Sequence, residues 1–373
     1  MRIGINATCI NDRPSGARQR FVGLLSQLVR LMPDSEFVIF EPEDCHVGSW
    51  FADAPNVTVR RTPLNSERRL QRYLRGLVYW RRVFATERFD LFEALHMPAI
   101  RAPTGKTLLT IHDVRGLHPG NGWLTRKLFR SVLRTSLERA DQVVTVSHAV
   151  REEILAFSNS TPVAVVCNGL DAGHFADVDP QIREQVRARL QLPERFLLAV
   201  GHFEPRKNYS MLVNALAALH RDGMPWPLVI VGNDSGERMR IEEQVRLAGL
   251  QASVHLLSGL SDIEVRCLYS AASMLVFPSK YEGFGIPLLE AMASGIPVAA
   301  SDMPVFREIL GDAGHYFDPD SAPSMASAIS TILATPALRE QMVSSGAVRV
   351  CSFDFEVLAR EMAALYRATA EKA

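Results

Sequence analysis

The feature that most constrains the fold is an alternation. Short apolar runs rich in Val, Ile and Phe take turns with longer stretches of helical periodicity, which is the signature of parallel sheets built from βαβ units. The second half shows it best: Phe196 to Gly201 reads as a strand, Tyr209 to Asp222 as a helix, Leu228 to Gly232 as a strand and Glu237 to Ala248 as a helix. Val254 to Leu257, Met274 to Pro278 and Pro297 to Ala300 continue the strands. Each run is too short for a helix, and Gly or Pro punctuates most of the ends. The unit recurs about every 25 to 30 residues, as a doubly wound α/β domain requires.

The first half repeats the pattern less cleanly, with strands at Arg2 to Asn6, Phe37 to Phe40, Val57 to Arg60, Leu91 to His96, Thr107 to His112, Gln142 to Ser147 and Val163 to Cys167. A chain of 373 residues exceeds what one hydrophobic core supports, so two α/β domains of about 170 residues each are expected. The stretch Asn168 to Pro180 is rich in turn formers and poor in periodicity, and reads as the linker. It divides a domain at 1–175 from one at 176–354. From about Phe355 to the end the pattern is helical again, after an apparent last strand, and this 355–373 segment can pack on either domain.

Lys plus Arg equals Asp plus Glu, so overall charge argues neither for a nucleic-acid binder nor for an acidic tail, no nucleic-acid partner is expected, and electrostatic function must come from local clustering. The five cysteines are odd in number, widely spaced and never in a Cys-x-x-Cys pair, which argues against a disulfide framework or zinc knuckle and for a reducing compartment. The chain opens directly into a strand, without signal-peptide architecture, and no apolar run approaches the roughly 20 residues of a membrane span. The expected location is cytoplasmic, or the inner face of the cytoplasmic membrane.

The most informative segment is Tyr281-Glu-Gly-Phe-Gly-Ile-Pro-Leu-Leu-Glu-Ala-Met-Ala-Ser-Gly295. It follows a predicted strand; Pro287 suits the first turn of a helix and Gly295 the left-handed position just past its end. A glycine-bearing loop thus enters a helix N-terminus at the carboxyl end of a parallel strand, where open α/β sheets bind ligands and free amides favour anions. Gly283 and Gly285 allow close backbone approach. Glu290 can accept bonds from adjacent ribose hydroxyls; taken alone, it is better explained as a complement to the helix dipole, and Glu282 as a solvated loop residue.

Together, Glu282 and Glu290 in Glu-Gly-Phe-Gly-Ile-Pro-Leu-Leu-Glu-Ala-Met resemble the hallmark of family 4 of the retaining glycosyltransferases, which have the GT-B fold of two Rossmann-like domains facing a cleft. The likeness spans the chain and is strongest from Leu197 to Pro319. It implies that Glu290 binds the nucleotide ribose, that Glu282 contacts the donor sugar, and that the backbone at Phe284, Gly285, Ile286, Pro287 and Leu288 lines sugar and diphosphate.

Val200-Gly-His-Phe-Glu-Pro-Arg-Lys-Asn208 places two cations just after the second domain's first strand. Fixed cations stabilise the charge that builds as a nucleoside diphosphate departs. The resemblance makes Gly201, Arg206 and Lys207 donor-binding, with both cations catalytic; His202 stands where some members have Arg. Asn6 to Arg18 resembles the family's first βα loop, with its paired glycine reduced to Gly16. It is not a dinucleotide fingerprint, because Gly-x-Gly-x-x-Gly is absent. His112, in Thr-Ile-His-Asp113, resembles the active-site His that contacts the donor sugar. It is not read as a general base, since retaining members are described by a front-face mechanism in which a leaving phosphate oxygen takes the acceptor proton. Ser147 and Asn168-Gly169 match further landmarks that are structural.

Asp177/Asp179 and Asp318/Asp320 form Asp-x-Asp strings of the kind that hold a divalent ion in transferases of another fold. Both fall in Pro-containing turns and read as turn chemistry, so no metal and no cofactor is expected. From Arg60 to Arg88 arginines interleave with Leu70, Tyr73, Leu74, Leu77, Val78 and Trp80 at roughly helical spacing. Such a helix either lies on an anionic bilayer as a peripheral contact or buries its apolar stripe in the domain.

The activity expected is retaining transfer of a mannose-type or rhamnose-type hexose from a nucleotide sugar to a glycan or lipid-linked acceptor, in lipopolysaccharide or O-antigen-like assembly. The donor is expected to be GDP-linked, because Glu-Gly-Phe-Gly-Ile-Pro and Glu-Pro-Arg-Lys-Asn look like bacterial mannosyl- and rhamnosyltransferases. A UDP-sugar transferase, a nucleotide-sugar 2-epimerase of the same fold and a non-catalytic sugar-nucleotide scaffold are the alternatives.

Overall fold

A computed structural model describes residues 1–13 and 15–371. Pro14, within the first βα loop, and residues 372–373, at the end of the C-terminal segment, lie outside the described residues. The chain forms two α/β units, Met1–Gly169 with the segment from Phe355 onward, and Leu170–Asp354.

The first unit is built on a seven-stranded parallel sheet of β1 (Arg2–Asn6), β2 (Glu36–Glu41), β3 (Val57–Arg61), β4 (Leu91–Ala94), β5 (Lys106–Ile111), β6 (Gln142–Thr145) and β7 (Val163–Val165), in the order β3-β2-β1-β4-β5-β6-β7. Alternate residues of β2 serve opposite layers. Phe37 and Ile39 join a core with the Gly16–Leu31 and Phe355–Ala370 helices, whereas Val38 and Phe40 join Trp80 and Val83 of the Arg69–Thr86 helix. The C-terminal helix therefore belongs to this unit; its Phe355, Leu358 and Met362 are buried in that core.

The second unit carries a six-stranded parallel sheet of β8 (Leu197–Val200), β9 (Leu228–Val231), β10 (Val254–Leu257), β11 (Met274–Phe277), β12 (Val298–Ser301) and β13 (Gly314–Phe317), ordered β10-β9-β8-β11-β12-β13. All its pairings are parallel, in register such as Leu198 with Leu275 and Ala299 with Val276 as Val276 pairs across. The order reverses between β8 and β11, and that switch point is where the carboxyl ends of neighbouring strands diverge and leave room for a ligand.

Three expectations are corrected. The units divide at Gly169/Leu170 rather than at 175/176, because the supposed linker folds onto the second unit. Its Ala172–Ala176 helix is capped by Asp171, buries Phe175 edge-on against Tyr269, and pairs His174 with Asp262 at 2.7 Å. The strand expected just before Phe355 is helix: Pro336–Val350 buries Met342, Gly346 and Val350 at four-residue spacing and ends in a 3-10 turn at Cys351–Phe353. The last strand is instead β13, whose Gly-His-Tyr-Phe sequence carries little β-branched signal. Finally, Ser147 is not strand but the cap of the His148–Phe157 helix, accepting from the Val150 amide.

Candidate functional site

The site grows from the ends of β8 and β11. After β8 the backbone turns through Gly201 at φ +143°, then through a 3-10 turn, Pro205–Lys207, closed by Asn208 in the left-handed region at φ 59°. Asn208 is fixed by its amide, which donates to the Pro319 carbonyl at 2.8 Å. A Cβ at Gly201 would stand 2.6 Å from Lys207 Cε and 2.7 Å from its Nζ. Glycine is required there because the lysine folds back over the turn.

After β11 the loop carries Ser279 to Gly285 into the Ile286–Ala293 helix, with Pro287 in its first turn and Gly295 at φ +70° beyond its end. Gly285, at φ +132°, opens the helix. Phe284 is buried and meets Phe353 edge-on, which anchors the loop from beneath.

The two loops meet at Glu282. Its Oε1 lies 2.7 Å from Lys207 Nζ and 2.5 Å from Arg206 Nη1, and accepts from the Ser279 hydroxyl at 3.0 Å. Arg206 is held in a fork by Glu204, whose two oxygens accept at 2.9 and 3.1 Å, and it also donates to the Tyr281 carbonyl. Lys207 is buried, with its ammonium 4.7 Å from the centre of the Phe277 ring. Burial alone would raise the Glu282 pKa, but Lys207 and Arg206 outweigh it and hold the carboxyl below its ordinary value. Arg206 is likewise held above its ordinary value despite burial, by Glu282 and Glu204. The cluster is a pre-organised pair of cations, kept in place by one shared carboxylate.

Glu290 differs. Burial pushes its carboxyl up to about 7, Asp262 adds to the rise, and only the Tyr269 hydrogen bond and the field of Lys207 oppose it. The Tyr269 hydroxyl donates to Glu290 Oε2 at 2.6 Å from a fully buried ring. Tyr269, Ser279 and Glu204 were not singled out from the sequence. A Tyr inside a Leu-Tyr-Ser helix reads as core, and Ser279 and Glu204 acquire meaning only once the loops meet.

Gly201, Arg206, Lys207, Glu282, Gly283, Phe284, Gly285, Ile286, Pro287, Leu288 and Glu290 all fall on these two adjoining loops and the helix that follows. His202 is exposed. Gly16 and His112 belong to the other unit. Gly16 begins the Gly16–Leu31 helix, capped by Ser15, whose side chain accepts from the Arg18 amide. His112 follows β5 and lines a cavity of about 30 Å³ with Arg20, Glu93, Thr110 and Tyr366. Burial, then the Arg20 charge, pushes His112 down to about 3, so its imidazole is neutral across the physiological range. Arg20 donates to the Val166 and Cys167 carbonyls, while Glu93 accepts from Thr110 at 2.6 Å and from Tyr366.

The Asp-x-Asp strings act as caps and turns. Asp179 accepts from the Gln181 amide at 2.7 Å at the start of a helix, Asp318 from the Asp320 amide at 2.9 Å, and Asp320 pairs with Lys280.

A family model described as Glycosyl transferases group 1 matches residues 181–349, and one described as Glycosyltransferase Family 4 matches residues 15–174. The O-antigen chain mannosyltransferase RfbU of Salmonella typhimurium is 34% identical over 243 residues, which cover 64% of this chain and 63% of that protein. The GDP-mannose:cellobiosyl-diphosphopolyprenol alpha-mannosyltransferase of Komagataeibacter xylinus is 26% identical over 243 residues, covering 64% of this chain and 59% of that protein. The chain thus spans about three fifths of the length of these relatives. Among solved structures, sucrose-phosphate synthase from Thermosynechococcus elongatus superposes with a TM-score of 0.78 at 23% identity, covering 98% of each chain. With two parallel-sheet units and a family match on each, the chain carries a glycosyltransferase family 4 domain in its first unit and a glycosyl transferases group 1 domain in its second, in the GT-B fold.

Proposed function

We propose that the protein transfers a mannose-type hexose, deoxy derivatives included, from a GDP-sugar to a glycan or lipid-linked acceptor, with retention at the anomeric carbon. The observation that carries this reading is the meeting of Arg206 and Lys207 with Glu282 at the switch point of the second sheet. Two cations fixed before the reaction begins need no reorganisation as charge develops on a departing diphosphate, and such donors lower the barrier by several kcal/mol, about 3–4 for a single one. Glu290, one turn into the following helix, is the acceptor for a ribose diol. Glu282 holds the cations and offers its remaining lone pairs to the sugar. His112, with a pKa of about 3, is poorly matched to proton abstraction near neutrality. Its proposed role is an uncharged hydrogen bond to the donor sugar, leaving the acceptor proton to a phosphate oxygen. Arg206 and Lys207 take the charge-neutralising task that a divalent ion performs elsewhere, so turnover in the presence of a chelator is expected.

The GDP preference is supported by the mannosyltransferase relatives, one of which names GDP-mannose. For the acceptor side, the arginine-rich Arg60–Arg88 segment is proposed as a peripheral membrane contact. Thermal unfolding with GDP, UDP, ADP, GDP-mannose and UDP-glucose, each with and without magnesium, tests the donor assignment. A ligand that binds only the native state raises the midpoint by mass action. A selective metal-free shift with GDP compounds is expected. A UDP-only shift overturns the donor, an epimerised nucleotide sugar recovered after incubation overturns the reaction, and no shift with any of these ligands overturns the nucleotide-sugar site itself.

A further inference from the structure

We infer that the first unit presents a two-helix, cationic and apolar face that docks on an anionic lipid surface. This deepens the membrane side of the proposed function by adding a second helix and the chemistry of the lipid. Of fourteen exposed large apolar side chains among the described residues, nine lie on two helices, Arg69–Thr86 and Trp123–Arg139. On the first, Leu70, Tyr73, Leu74, Leu77 and Val78 are 40–72% exposed, opposite the buried Gly76, Trp80 and Val83. On the second, Trp123, Leu124, Leu128 and Val132 are 37–75% exposed, opposite the buried Leu133, Ser136 and Leu137.

Both helices cover one face of the sheet. Phe92 of β4 packs with Trp80 of the first helix, and Ala94, two residues on, packs in the cluster of Leu133 and Leu137 of the second. Residues two apart on a strand share a face. No helix lies between β4 and β5, so the two helices are successive elements on that face, and their apolar stripes both point away from the core.

Charge identifies the occupant. The first helix has five arginines and no acidic residue, and the second has five Lys or Arg with Glu138 alone, in its last turn. The whole chain has a formal net charge of zero, so this concentration is local. Arg81, Arg82, Lys127, Arg130 and Arg134 form no ion pair among the described residues. A second copy of the chain, paired through the same surface, would set two cationic faces against each other. Interleaved basic and apolar side chains with Trp and Tyr suit instead the boundary of an anionic bilayer, where aromatics sit at headgroup depth and cations neutralise lipid charge.

The test is co-sedimentation of the full chain with vesicles of phosphatidylcholine alone and with 30% phosphatidylglycerol (about one lipid in three, ample to create a surface potential). Binding is expected at least about tenfold tighter with the anionic lipid, and weakened by salt. Leu74→Glu combined with Leu128→Glu, and separately Arg81→Glu combined with Arg82→Glu, should each abolish it while leaving the thermal shift by GDP unchanged. In the wild-type chain, brominated lipids should quench a fluorescence component that Trp123→Phe removes. Equal binding to neutral and anionic vesicles, no binding at all, retained binding in both double variants, or concentration-dependent dimerisation through this face overturns the inference. Vesicle binding is read without donor or acceptor, so its failure and a failure of the transferase assignment are separable.

Discussion

Donor affinity should fall with acidity through one residue. Glu290 accepts a ribose diol only as a carboxylate, and burial sets its pKa at about 7. A competent fraction f weakens apparent affinity by 1/f. With a midpoint near 7, about ten elevenths of the protein is competent at pH 8 and about one eleventh at pH 6. GDP-mannose should therefore bind about tenfold more weakly at pH 6, equivalent to about 1.4 kcal/mol. GDP-mannose is the right ligand because its diphosphate is a diester, which does not titrate in this range as a terminal phosphate would. The charged groups acting on Glu290 are Asp262, which raises its pKa, and Lys207, which lowers it, beside the Tyr269 hydroxyl. Tyr269→Phe removes a hydrogen bond that favours the charged form and should move the midpoint up by roughly one unit. The assay is isothermal titration calorimetry from pH 6 to 8.5, repeated with the 2′,3′-dideoxy nucleotide sugar. A flat profile, or an equal slope with the dideoxy ligand, refutes the assignment of Glu290 to the ribose.

The same residue should cost stability in the free protein. Its folded pKa lies above the ordinary 4.5, so the native state holds the proton more tightly and stability is lost as pH rises from about 4.5 to 7. Glu290→Gln should stabilise the ligand-free protein at pH 8, by up to about 3 kcal/mol, with little change near pH 4.5, and should weaken donor binding; denaturant unfolding at the two pH values checks this. Lys207→Ala should lower kcat at least about 100-fold and reduce Tm, because a buried charge loses one of its partners, while circular dichroism stays native. Normal turnover in the purified variant would remove Lys207 from the mechanism. Gly201→Ala should displace the Lys207 side chain, since the added Cβ lies 2.6 Å from Cε and φ is +143°. Its loss of kcat should largely vanish in the Lys207→Ala background, and an additive double variant would contradict the link.

The sheets were legible because parallel strands buried on both faces read as continuous apolar runs. Leu228–Val231 and Met274–Phe277 need nothing more. Gly314–Phe317 was hidden by its His and Tyr, and the helix Pro336–Val350 was obscured by Val348 and Val350, of which Val348 faces solvent and Val350 the core. Glu282, Arg206 and Lys207 could be singled out locally, but their union could not. Arg206 and Tyr281 are 75 residues apart in sequence, and only the adjacency of β8 and β11 brings their loops together. Glu290 carries a local signal, whereas Tyr269, which fixes it, has none. The exposed apolar stripe of Trp123–Arg139 was equally invisible. Leu124, Leu128 and Val132 have the four-residue spacing of a core stripe, and only the packing of Leu133 and Leu137 on the sheet shows which stripe points inward.

The most direct measurement is a crystal structure of the protein with a GDP-sugar bound. The account predicts the diphosphate against Arg206 and Lys207, the ribose diol within hydrogen-bond distance of Glu290, and the sugar beside Glu282. A nucleotide seated elsewhere, or one whose phosphates avoid both cations, would contradict it.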